Sequence, residues 1–476
     1  MNVAQRILKN TGILSIAQII SYVLVFFYTI YIARYLGAEG FGILSFAIAI
    51  VGIFTILTDL GISTLTVRDV ARDRSLGPKY LGNGLVIKVI LAVVSFGLIA
   101  LAVNLLNYPS ETITVVYFIA LSTIFGSIAS FIFSIFQAHE KMEFQGLGQI
   151  LNAVLMFSGV FIAIAMSLDV VGFSFVYFIT SLISLIYSLL IYIWKFSLPP
   201  VEVDRVFWGK LLKGAIPFGI TGIFVTIYYW IDSVMLSVMA GNEVVGWYNA
   251  SYKVIFLFLS FQSLFIVSIF PVLSSFYKTS RESLKYAYER SFKYMLIISI
   301  PIAIFGTLVA DKIILLIYGP DFMPSIVALQ ILIWTVVFMF INNISGNFLG
   351  SIDQQVVVSK VAAVGAVVNI VLNLVLIPEF SYVGSSFATV FTELMILPIL
   401  VYVVHKYRYT SVSPLVKDLP KILVSGLAMS LFIIYFSYLN LFILLLASSI
   451  IYLGVIFITR TLDEDDIVLI RNIIQK

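Results

Sequence analysis

The chain is 476 residues long, 61% hydrophobic and 11% charged, with a net charge of +4. Soluble domains carry about 25% charged and about 45–50% apolar residues, so this balance excludes a soluble globular protein and places the chain in the membrane class. With no cysteine, disulfides and thiolate metal sites are excluded, and the only two histidines, His139 and His405, lie too far apart in sequence to suggest a shared site; no cofactor, metal or nucleic-acid partner is expected.

The first apolar run, Gly12 to Ala33, holds 22 residues without a charge, enough to span a bilayer and too many for a cleavable signal. Further runs cover 41–66, 81–106, 112–137, 146–168, 170–194, 214–239, 246–271, 294–317, 324–349, 357–377 and 382–404. Residues 422–459 are 38 uncharged positions broken only by polar Asn440. One helix of that length would be about 57 Å long, against a hydrocarbon core of about 30 Å, so two spans fit, 422–438 and 441–459. The chain is therefore predicted to be all-α and polytopic, with about fourteen transmembrane helices.

Alternating sides from a cytoplasmic N-terminus tests this count, because inner loops are enriched in Lys and Arg. Of the 28 basic residues only Arg34 and Lys312 fall outside, and Lys88 and Lys253 fall within spans; all others lie inside. A missing span would scramble that asymmetry. Both termini are predicted to be cytoplasmic in a cell membrane.

Between the first two spans the chain reads Tyr35-Leu-Gly-Ala-Glu-Gly-Phe-Gly42. Gly37 can end span one in a left-handed cap, Glu39 suits the positive end of the next helix, and Gly42 permits close helix approach. This is read as a turn in preference to a gating contact on the outer face. The pattern G-x-E-x-x-G recurs 204 residues later as Gly241, Glu243 and Gly246. At an offset of 212, Val171-Gly172-x-Ser174-Phe175 recurs as Val383-Gly384-x-Ser386-Phe387. Spans one, two and six thus pair with seven, eight and twelve. A six-span unit returns to its starting side, so two parallel repeats are expected, as in some secondary transporters.

The predicted domains are an N-terminal lobe over 1–194, a cytoplasmic linker over 195–213, a C-terminal lobe over 214–404, and spans thirteen and fourteen with a tail over 405–476. The linker contains Pro199-Pro200, and Asp204 can cap a short amphipathic helix bearing Val206, Phe207, Leu211 and Leu212. It is expected to lie on the inner leaflet. The acidic run Asp463 to Asp466 reads as a solvated charge cluster.

Ionisable groups inside spans are functional suspects. Asp59 and Lys88 fall at similar depth on spans two and three, and Asp232 and Lys253 on spans seven and eight. Two structural ion pairs are the plainer reading; a hydrated cavity lined by rearranging charges is the sharper one. Glu393, near the middle of span twelve, has no evident sequence partner and is the candidate for proton or cation coupling, against a hydrogen-bonded structural acid. Arg34 either snorkels to lipid phosphate or meets a substrate. Polar span residues such as Gln18, Asn152, Gln262, Asn342 and Asn343 suit either interhelical bonds or a sugar-binding cavity.

Leu36-Gly37-x-Glu39-x-x-Gly42, Asp59-x-Gly61 with Arg68, Ile231-Asp232-Ser233, Gly241-x-Glu243-x-x-Gly246-x-Tyr248 and Tyr318-Gly319-Pro320-x-Phe322 occur in that order along the chain. With this order the chain resembles the polysaccharide-biosynthesis flippases of the multidrug/oligosaccharidyl-lipid/polysaccharide exporter superfamily. The resemblance implies the fold of multidrug-and-toxin extrusion (MATE) transporters, two six-helix lobes around a central cavity, and alternating access. It implies translocation of a polyprenyl- or dolichyl-phosphate-linked oligosaccharide, with Arg34, Lys88 and Lys253 drawing the phosphate. Asp59, Asp232 and Glu393 would balance charge or couple to H+ or Na+. Lipid-linked glycan, bilayer lipid and glycan-assembly enzymes are the implied partners, and a transporter rather than an enzyme is implied. The alternatives are a cation-coupled small-molecule exporter and a peptidoglycan lipid-precursor flippase, although span one has no internal arginine. No phosphate-binding G-x-x-x-x-G-K-[ST] run is found, so a built-in ATP motor is not expected.

Overall fold

The computed structural model describes residues 3–196, 203–410, 412–464 and 466; Pro199-Pro200 lies outside them. Among the described residues there is helix and no strand, and twelve helices are long and apolar enough to cross a membrane. Apolar chain in lipid must satisfy its backbone within each segment, and the helix does so.

Two of the twelve are double-length. Helix α1 (Val3–Asp59) contains one non-helical residue, Gly37 (φ 68, ψ −176), and α13 (Gln355–Lys406) contains one, Ser381 (φ 52, ψ −134). At 57 residues α1 would be about 85 Å long if straight, far beyond a bilayer, so each break separates two spans. Dividing both helices yields the fourteen predicted spans. The positive φ at Gly37 is one that a Cβ disfavours.

The chain packs as two compact units, one of residues 1–249 with 373–381 and the other of 250–372 with 382–476. The first holds α1, α2 (Ile62–Arg72), α3 (Gly77–Leu105), α4 (Ser110–Ala138), α5 (Met142–Ala165), α6 (Val170–Phe196) and α7 (Arg205–Ala240). Helix α8 (Asn242–Thr279) begins in it. Helix α4 lies along α6, and α1 along α5. The second unit holds α9 (Arg281–Leu308), α10 (Ala310–Ile317), α11 (Ser325–Leu332), α12 (Thr335–Ser351), α14 (Val412–Val416), α15 (Leu419–Tyr435) and α16 (Leu441–Ile458). Leu446, Ile450 and Ile458 on α16 are exposed, as a bilayer solvent permits.

Three departures from the sequence reading have physical causes. Span two does not run intact to residue 66: Leu60 (φ 47) and Gly61 (φ 85) break it, and α2 starts at Ile62. The linker helix is not a separate element. Asp204 does cap it, its carboxylate accepting from the N–H groups of Val206 and Phe207, and Lys79 binds the other oxygen at 2.9 Å. Those backbone bonds and Lys79 hold the Asp204 carboxyl below its usual range. The helix then runs on into span seven, unbroken at Gly214 and Pro217, and Leu211 and Ala215 bury against Leu65, Tyr80 and Leu81. Protein, and not lipid alone, covers its apolar face.

The acidic run is not simply solvated. Asp466 is fully buried, with Arg290 at 2.6 Å, Lys293 at 2.6 Å and the Tyr294 hydroxyl at 2.6 Å. The Asp463 and Asp466 N–H groups each donate to the other's carboxylate at 3.0 Å. Arg290 and Lys293, at the end of the basic stretch that starts at Lys278, are committed to this acidic segment, which composition could not reveal.

Candidate functional site

The first unit holds an open cavity of about 930 Å³, within the range of about 300–1,000 Å³ usual for ligand pockets. Helix α1 contributes Gln18, Ser21 and Tyr22, and α5 contributes Gln145, Gln149 and Asn152. Spacings of three and four put each trio on one helix face. Asn152 donates to Ser184 Oγ at 3.0 Å, whereas Ser21 Oγ, Gln145 Oε1 and Gln149 Oε1 are buried and have no hydrogen-bond partner among the described residues. Trp230, whose indole lies against Gly52, forms part of the wall.

Among the described residues, the charges at this cavity are Asp59 and Lys88. The break at Leu60-Gly61 leaves the Asp59 carboxylate beside the start of α2, where the Ser63 N–H (3.3 Å) and Ser63 hydroxyl donate to it. Lys88 Nζ lies 2.7 Å from Asp59 Oδ1 and also donates to Ser127 Oγ at 3.0 Å and Ser127 O at 3.3 Å. All three ammonium donors therefore have acceptors. The Lys88 side chain is 1% exposed and that of Asp59 29%, so the carboxylate is what the cavity meets of the pair.

The duplicated turns meet within this unit. Gly241 ends α7 with φ 96 and ψ 167, a backbone conformation similar to that of Gly37 (φ 68, ψ −176). A Cβ on Gly42 would fall 1.7 Å from the Asn242 carbonyl oxygen, and a Cβ on Gly246 would fall 2.0 Å from that of Ala38. The contact is reciprocal: each turn's last glycine receives the other turn's backbone. Glu39 and Glu243 are exposed, and the Ser237 hydroxyl ties the second turn to Tyr108 (2.7 Å) and to Asn242 (2.6 Å).

The remaining suspects are dispersed. Asp232 is buried in the first unit and accepts from the Tyr248 hydroxyl at 2.8 Å and from Asn373 Nδ2 at 2.6 Å. Lys253, half-buried on α8, belongs to the second unit, as does Glu393. Glu393 is buried, and Asn342 Nδ2 donates to its Oε2 at 2.7 Å; Asn343 bonds Gln262 at 2.9 Å nearby in sequence. Arg34 is exposed near the end of the first span. The other outward cation of the sequence reading, Lys312, binds the Leu439 carbonyl at 2.7 Å. Each histidine ring bonds a backbone carbonyl, His139 that of Ile135 and His405 that of Thr410, both at 2.9 Å.

Gln145, Gln149 and Ser21 are site residues that the sequence reading passed over. Their signal was available as the i, i+4, i+7 series Gln145, Gln149, Asn152, one polar stripe along an otherwise apolar helix.

The family described as Polysaccharide biosynthesis protein matches residues 7–277, more than half of the sequence. The chain belongs to that family. The MatE family matches residues 217–375. An uncharacterized membrane protein of Methanocaldococcus jannaschii is 28% identical over 195 residues, a match spanning 39% of this chain and 38% of that protein. The probable low-salt glycan biosynthesis flippase Agl15 of Haloferax volcanii is 23% identical over 379 residues, 79% of each chain. Among solved structures, the lipid II flippase MurJ in an inward closed conformation superposes with a TM-score of 0.76 at 18% identity, covering 94% of this chain and 98% of that one. At that identity the likeness establishes the fold: an all-α, multi-pass membrane protein of MATE type. Family membership makes the chain a transporter of the flippase kind, not an enzyme.

Proposed function

We propose that this protein flips a polyprenyl- or dolichyl-phosphate-linked oligosaccharide across the cell membrane for polysaccharide or surface-glycan assembly. The observation carrying the proposal is the cavity of about 930 Å³, whose wall sets amides and hydroxyls among apolar side chains, inside a chain of the polysaccharide biosynthesis family. A glycan crossing bare hydrocarbon would forfeit its hydrogen bonds to water, at several kcal/mol for each unpaired group. A polar cavity replaces those bonds while the lipid tail stays in the bilayer. With both termini cytoplasmic, glycan-assembly enzymes deliver the substrate from the inner side.

In this reading the reciprocal contact at Gly42 and Gly246 is a closed outer gate, and the two lobes, 1–194 and 214–404, alternate about it. Arg34 and Lys253 meet the lipid phosphate. Lys88 is committed to Asp59 in the state described and would reach phosphate only after that pair rearranges. Glu393, with Asp232, couples transport to H+ or Na+. The MatE match over residues 217–375 favours one second reading, a cation-coupled exporter of small molecules.

Cells lacking the protein should lose surface glycan and accumulate its lipid-linked precursor in the inner leaflet. Intact surface glycan with no accumulated precursor would overturn the assignment.

A further inference from the structure

The cavity's chemistry bears on which glycans it takes. Its charged lining residues are Asp59 and Lys88, and they neutralise each other. The ammonium is sequestered, so among the described residues no uncommitted cation faces the cavity, and the partly exposed group of the pair is an acceptor. Two amide oxygens, Gln145 Oε1 and Gln149 Oε1, and the Ser21 hydroxyl, which can accept or donate, stand without hydrogen-bond partners among the described residues. Buried polar atoms without partners are costly, and a ligand that brings the complementary group satisfies them once these cavity-lining side chains turn toward it.

Sugar hydroxyls supply both donors and acceptors, and a hydroxyl can turn its proton toward an amide oxygen or a carboxylate. A hexuronate carboxylate or a sulfate ester supplies acceptors alone. Set beside the already neutral Asp59–Lys88 pair, it would add an anion that no charged group of the described lining balances. Amide groups lack the full charge needed to compensate it, whichever way they are turned.

We propose that this cavity selects uncharged, hydroxyl-rich sugars and rejects sugars bearing carboxylate or sulfate, with Gln145, Gln149 and Asp59 as the specificity-determining residues. The inference rests on the flippase reading and names its substrate class.

The test uses the full chain in liposomes with two polyprenyl-phosphate-linked disaccharides that differ only at C6 of the outer sugar, hexose against hexuronate. The hexose form should flip at least tenfold faster. Gln149→Lys places a cation in the cavity and should narrow that ratio by raising the hexuronate rate; Gln145→Lys serves if the first variant does not fold. Equal rates for the two lipids in the unmodified protein would overturn the selectivity and leave the flippase reading standing. A folded lysine variant with an unchanged ratio would overturn the assignment to that residue. Failure of both lipids to flip faster than in protein-free liposomes would overturn the flippase reading itself.

Discussion

Lys88 Nζ sits 2.7 Å from Asp59 Oδ1, and Ser127 accepts its other two protons. A cation so committed is a structural element in this state. Removing one partner of a buried pair strands the other charge. Asp59 keeps some exposure to the cavity, so Lys88→Met should destabilise by about 2–3 kcal/mol, below the fully buried case. The double variant Asp59→Asn/Lys88→Met should recover part of that loss. Thermal unfolding of the four proteins in detergent closes the cycle, and simple additivity would mean the pair does not couple.

The paired turns make a second prediction. The Cβ clash at Gly42 is with backbone, which no rotamer change relieves. Gly42→Ala and Gly246→Ala should each cost about 1–3 kcal/mol in the closed-gate state. Gly97→Ala, where nothing lies within 4 Å of the added atom, should be neutral or slightly stabilising. If the contact is a gate, the folded alanine variants should also show greater labelling of a cysteine placed in the cavity from the outer side. Unchanged labelling would make the turns merely structural.

Asp463 links pH to the docking of the C-terminal segment. Burial raises its carboxyl, but the hydrogen bonds from Arg290 and from the Asp466 N–H, with the Lys293 charge, outweigh this and hold it down at about 2. A folded-state value below the unfolded one stabilises the docked form at and above the ordinary carboxyl range, and that contribution is lost as pH falls through about 4 toward about 2. Hydrogen exchange over residues 459–464, corrected for intrinsic rate, should therefore rise in that window. Arg290→Gln should produce the same rise at neutral pH. Protection that persists in the variant would show that packing rather than charge holds the segment.

Glu393 lies buried against Asn342 in the second unit. As the proposed coupling group, Glu393→Gln should abolish the response of transport to a proton or sodium gradient and leave expression and folding intact. Transport by the variant that still tracks the gradient would assign Glu393 to structure alone.

Span number was legible because lipid imposes one rule on length and apolarity, and loop basicity checks it. The breaks were less so. Gly37 carries its own signal, but Ser381 and Leu60 adopt positive φ with side chains that do not advertise it. Asp59 and Lys88 could be matched by depth on adjacent spans. Asp232 could be matched in the same way to Lys253, but its partners include Asn373, distant in sequence, and Tyr248, which depth-matching of charges does not consider. The cavity wall was half legible: amides read one at a time suggest helix contacts, and only the shared face of Gln145, Gln149 and Asn152 marks a lining. The repeated turn was visible as a repeat, yet nothing in either copy told that the two pack on each other.

The most direct test of the flippase assignment is reconstitution of the purified protein in liposomes with a fluorescent polyprenyl-phosphate-linked neutral oligosaccharide. The fraction of label reached by a membrane-impermeant quencher is followed in time. The account predicts translocation at least tenfold above protein-free liposomes, lost in a variant whose cavity is blocked by Gln149→Trp. Translocation no faster than in protein-free liposomes, alongside gradient-driven efflux of small organic cations by the same preparation, would contradict it.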